Sequence, residues 1–109
     1  MMLETDVLAQ IQGMTRTRLR ICIEQEWVRP ARSDRGHAFD ALDVARLRLI
    51  AELTEDLQVN DDAVPIILSL VDQVHGLKRR LRLLDEAVAE QDETVRARIA
   101  EHLQTRESS

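Results

Sequence analysis

The sequence contains no Tyr, one Phe, one Trp, three Gly, two Pro and a single Cys in 109 residues. Strands lean on aromatic and β-branched pairs and their turns on Gly and Pro, so this poverty excludes an all-β domain. A lone Cys22 permits neither an intrachain disulfide nor a cysteine-rich metal cage, and a reducing compartment is expected. With so few glycines there is no Gly-rich phosphate loop. The longest membrane-span candidate, Ala63 to Val71, is closed by Asp72 far short of the ~20 apolar residues a bilayer requires. The N-terminal MMLETDVLAQI carries acids where a secretory signal needs basic residues, so a cytoplasmic protein without membrane contact is expected.

What is abundant is charge, at 32% of residues, together with Leu, Ala, Glu and Arg, a composition of helices with solvated faces. An all-α fold with a possible small β wing is therefore expected. The net charge of −5 argues against nonspecific nucleic-acid binding. It is unevenly spread: residues 1–40 hold six Arg against six Asp and Glu, and the acidic excess falls after residue 40.

Along the chain, Thr5 or Asp6 can cap a short helix bearing Val7, Leu8 and Ile11, with Gly13 placed to end it. Thr15 can cap a second helix to about Glu26, with Leu19, Cys22 and Ile23 on one face. Two short helices around a Gly-containing turn predict a helix-turn-helix. Trp27 to Phe39, with Pro30, Ser33, Asp34 and Gly36 inside, reads as a small hairpin or wing. Asp40 or Asp43 then caps a third helix whose apolar positions are Leu42, Val44, Leu47, Ile50, Ala51 and Leu57.

After a break at 58–62, Asp61 or Asp62 caps a helix with Pro65 in its first turn, expected to run as one piece almost to the C-terminus. Ile67, Leu70, Val74, Leu77, Leu81, Leu84 and Val88 alternate by three and four, the signature of a coiled-coil seam, and predict a homodimer. Val64, Leu68 and Val71 form a second stripe suited to packing on the N-terminal part. The expected domains are 1–58 as a helix-turn-helix domain, 61–104 as a helical dimerisation segment and 105–109 as a frayed tail.

No catalytic constellation is present. Asp85-Glu86 and Asp92-Glu93 are expected on an exposed helix without a cleft to perturb their pKa, and Ser69 has no base at helical spacing. His37, His75 and His102 lack ligand spacing, and Cys22 reads as a small core hydrophobe. A non-enzyme without metal or cofactor is expected.

Residues 14–50 resemble the winged helix-turn-helix of the MerR family through Thr15, Leu19-Arg20, Pro30, Gly36 and the run Asp43-Val44-Ala45-Arg46-Leu47 followed by Ile50. Leu53 to Val88 is similar to the chaperone-modulator branch of MerR-like proteins, the CbpM-type partners of DnaJ-like co-chaperones. That likeness is carried by Val59-Asn60, Val64 to Leu68, Val71-Asp72-Gln73 and His75-Gly76-Leu77-Lys78. It implies a homodimer that binds the J domain of a DnaJ-like protein and restrains its activity. Ile21 and Cys22 stand where MerR-type DNA binders usually carry a Tyr pair, Glu26 where a glycine commonly ends that helix, and His37-Ala38 where Tyr and Arg are typical. The spacing from Gly36 to Asp43 is also one residue shorter.

Two surfaces follow as expectations. A protein partner would meet Ile21, Glu24 and Trp27 together with the acidic junction Glu55, Asp56, Asp61 and Asp62, which suits a J domain's basic second helix. In the alternative reading, a transcriptional regulator, Arg16, Thr17, Arg18, Arg20, Arg29, Arg32 and Arg35 would contact DNA. Glu24 repels phosphate and Ile21 finds few matching base edges, which favours protein over nucleic acid.

Overall fold

The computed structural model describes residues 1–108. Its local starts follow from short polar side chains at helix ends. β1 (Met2–Leu3) leads into α1 (Glu4–Gln10), where the Leu3 amide donates to Asp6 Oδ2 at 3.1 Å. Asp6 thus sits inside the first turn and bonds backward, rather than capping as expected. Gly13, at φ +84°, turns the chain, and Thr15 caps α2 (Arg16–Glu24) by accepting the Arg18 amide at 3.1 Å. Leu19 and Cys22 are buried on the inner face of α2.

α2 ends in a Schellman motif two residues short of the expected Glu26. The Trp27 amide donates to the Cys22 carbonyl at 2.9 Å and the Glu26 amide to the Ile23 carbonyl at 3.1 Å. Glu26 therefore takes the left-handed position at φ 58°, a conformation that costs a non-glycine residue about 1–2 kcal/mol. The same motif delivers Trp27 and Val28 to the core.

The wing is real and larger than a hairpin. β2 (Ala31–Ser33) and β3 (Gly36–Phe39) pair antiparallel, and β1 pairs with the other edge of β3, Met2 opposite Phe39. β3 is thus the central strand of a three-stranded sheet. Asp40 caps α3 (Ala41–Ala51) in a reciprocal box: the Asp43 amide donates to Asp40 Oδ1 at 2.8 Å, and the Asp40 amide to Asp43 Oδ2 at 3.0 Å. Burial and the adjacent Asp40 carboxylate raise the Asp43 pKa.

Two apolar positions expected on the third helix point outward. Leu42 is 65% exposed because, five residues before buried Leu47, it lies about 140° round the helix. Leu57 is 69% exposed because α3 passes into a π-helical turn, Glu52–Asp56, closed by the Leu57 amide on the Glu52 carbonyl at 3.0 Å. The wider turn rotates Leu57 off the core stripe, and Leu53 is buried instead.

α4 (Val64–Ala89) spans 26 residues, about 39 Å at the helical rise, with Pro65 in its first turn. It does not continue to the C-terminus as one helix. Asp92 adopts extended geometry and accepts the Val95 amide at 2.9 Å, capping a separate α5 (Glu93–Glu107). That local side-chain bond competes with helix continuation and breaks the rod at 90–92. Residues 105–107, expected to fray, belong to α5, and Ser109 lies outside the described residues.

The compact units are Met1–Leu70 and Val71–Ser109, a division later than the one expected near 58–61. The reason is packing: Val64 and Leu68, the second stripe of α4, are 0% and 2% exposed in one core with Val7, Leu19, Phe39 and Leu47. The first two turns of α4 therefore belong to the N-terminal unit.

Candidate recognition surface

The outward face of α2 carries Arg16, Thr17, Arg20 and Glu24, all exposed. Arg16, Arg20 and Glu24 line a depression of about 320 Å³ with Glu4 of α1 and His37 of β3. Two carboxylates thus share the space of two guanidiniums, and their charges offset one another there. Glu4 and His37 are additions made by the fold, since β1 and β3 bring the N-terminus and the wing beside α2.

Arg18 is committed elsewhere. Its Nη1 lies 2.7 Å from Asp61 Oδ1, a salt bridge joining α2 to the segment before α4. The remaining arginines of the expected DNA set, Arg29, Arg32 and Arg35, are exposed on and before the wing.

The seven residues expected to meet a protein partner divide among three places. Ile21, Trp27, Asp61 and Asp62 come together in a groove of about 230 Å³, completed by Gln25 and Pro65. Glu24 belongs to the depression beside α2, and Asp56 to a third hollow of about 610 Å³ with Ile11, Gln12, Gly13, Arg48 and Glu52. Glu55 lies against Gly13, so that a Cβ placed there would be 3.2 Å from its Cγ.

Ile21, expected to be exposed, is half-buried against the core, and Trp27 is 6% exposed. Arg46 Nε of α3 donates to the Trp27 carbonyl at 2.9 Å and anchors that wall of the groove. No sequence signal marks Gln25 as a lining residue; Pro65 was legible only as a helix-start residue.

On α4 the expected seam is open. Leu70, Val74, Leu77, Leu81 and Leu84 are each about half or more exposed, and Ile67 and Val88 are half-buried. Ile66 and Leu83, outside the seam as read, are exposed too.

Cys22 is buried, and burial pushes its thiol up to about 11, against the opposing pull of the Arg18 guanidinium. Two consequences are expected. At pH 8 the thiol should react with a chromogenic disulfide reagent only as the protein unfolds in urea; rapid stoichiometric reaction of the folded protein would contradict this placement. Because the folded-state pKa lies above the unfolded 9.0, the contribution of Cys22 is complete below pH 9 and is lost as pH rises through 11, so urea midpoints should fall across that window.

A helix-turn-helix flanked by a β wing and followed by a long helix agrees with the family described as MerR HTH family regulatory protein, which matches residues 3–86. The chain belongs to this family. No significant match was found among curated proteins or solved structures. The MerR-like match takes in α1 to α3, the wing and most of α4, and stops before α5. Among the described residues no helix is long and apolar enough to cross a membrane. Membership supports a regulatory protein in general, with fold and helix-turn-helix as expected.

Proposed function

We propose that this MerR-like chain is a dimeric, non-enzymatic and cytoplasmic chaperone modulator that binds the J domain of a DnaJ-like co-chaperone and restrains it. The observation that carries this reading is the charge of the α2 surface. Arg16 and Arg20 share their depression with Glu4 and Glu24, and Arg18 is neutralised by Asp61. A surface so balanced loses most of the counterion release that drives DNA affinity, whereas mixed charge around apolar side chains suits a protein partner. The sequence resemblance over Leu53 to Val88 supplies the partner's class, and the open α4 seam supports homodimerisation.

The alternative, a DNA-binding regulator, is favoured by one feature, the exposed Arg29, Arg32 and Arg35 near the wing. A J domain titrated calorimetrically beside a DNA-shift assay separates the two. The J domain should bind without nucleotide or metal, while DNA should associate weakly and lose most of that association between about 50 and 200 mM salt. Tight, sequence-specific DNA binding at physiological salt that Arg20→Ala relaxes would overturn the modulator reading.

A further inference from the structure

We infer that the groove between the C-terminal half of α2 and the start of α4 is the docking notch for a basic amphipathic segment of the protein partner; this rests on the reading just proposed. Its lining is Ile21, Gln25, Trp27, Asp61, Asp62 and Pro65. Ile21, Trp27 and Pro65 supply an apolar floor, the two aspartates an acidic rim, and no basic residue lines it. At about 230 Å³ it falls below the roughly 300–1,000 Å³ of small-molecule pockets and has room for one side chain with its neighbour's stem. A lysine or arginine suits it, laying its methylenes on the apolar floor and its charged head on the rim.

The molecule already shows how that rim takes a cation. Arg18 sets its guanidinium 2.7 Å from Asp61 Oδ1; the Asp61 side chain is 49% exposed and so open to an arriving cation, while that of Arg18 is 21% exposed. An arriving guanidinium or ammonium exchanges with Arg18 on Asp61 and engages Asp62, whose carboxylate has no ion pair among the described residues. Arg18 is thus an internal competitor for the partner's charge. Glu55 and Asp56, placed around a different hollow, contribute only long-range attraction.

The experiment is binding of a J domain from a DnaJ-like co-chaperone to the full chain, with association and dissociation rates measured for variants whose folding is checked by circular dichroism. Asp62→Lys is expected to weaken binding about tenfold, and Ile21→Ser to speed dissociation about tenfold. Arg18→Ala is expected to tighten binding about threefold by leaving Asp61 uncompensated. The double reversal Glu55→Lys with Asp56→Lys should slow association and leave dissociation within about twofold. Should Asp62→Lys prove unfolded, Asp62→Asn replaces it, with a smaller loss and a shallower salt dependence expected. Weaker binding by folded Arg18→Ala overturns the exchange. Wild-type binding that folded groove variants leave unaltered overturns the notch but not the J-domain reading; no complex with wild type overturns that reading itself.

Discussion

Leu77→Asp is expected to convert a dimer into monomers with an otherwise folded N-terminal unit. Leu77 stands midway along the seam from Ile67 to Val88 and is 57% exposed in the single chain, and the homodimer proposed above would bury it. Burying about seven such side chains contributes on the order of 10 kcal/mol before association entropy is subtracted. Two-fold symmetry places the new carboxylate in the interface twice, and each desolvated, unpaired charge costs several kcal/mol. Dimer affinity should fall by at least about a thousandfold. The core of Met1–Leu70 does not include Leu77, so its cooperative unfolding should survive. Light scattering that returns an unchanged dimer for this variant removes the seam as the interface.

Phe39→Ala is expected to be the most damaging single truncation within the N-terminal unit. Phe39 is the only Phe of the chain, fully buried on central strand β3 and paired with Met2 of β1. Removing its ring leaves a cavity and should cost about 3–5 kcal/mol. A small domain has only about 5–15 kcal/mol in total, so a thermal midpoint some 15–30 °C lower is expected by calorimetry. β3 also holds His37 beside α2, so the depression there should lose one wall. A change below about 1 kcal/mol would mean that β3 does not anchor this core.

What was legible in the sequence lies within one helical turn of the residue that reports it. Thr15 and Asp40 cap where their side chains reach an amide three residues on, and Leu19 and Cys22 are buried together at a spacing of three. Asp92 uses the same mechanism to start α5, inside a stretch whose composition predicts one continuous helix. Trp27 shows how a local motif can carry a nonlocal outcome. The helix end that positions it is readable from backbone geometry, whereas its burial depends on α3, whose Arg46 holds its carbonyl.

The sequence by itself determined the helical class, the helix-turn-helix with its wing, most helix starts and the apolar stripes of α4. These rest on hydrogen bonds and side-chain periodicity between residues a few positions apart. Tertiary structure alone decided that Met2–Leu3 adds a third strand, and that the acidic residues read as one patch are split, with Asp61 and Asp62 in one hollow and Asp56 in another. It also decided the fate of Arg18, which the chain places among helix-exposed arginines and the fold neutralises with Asp61, 43 positions away. Charge counted along a chain is blind to such pairs, because the energy of an ion pair depends on a distance that only packing sets.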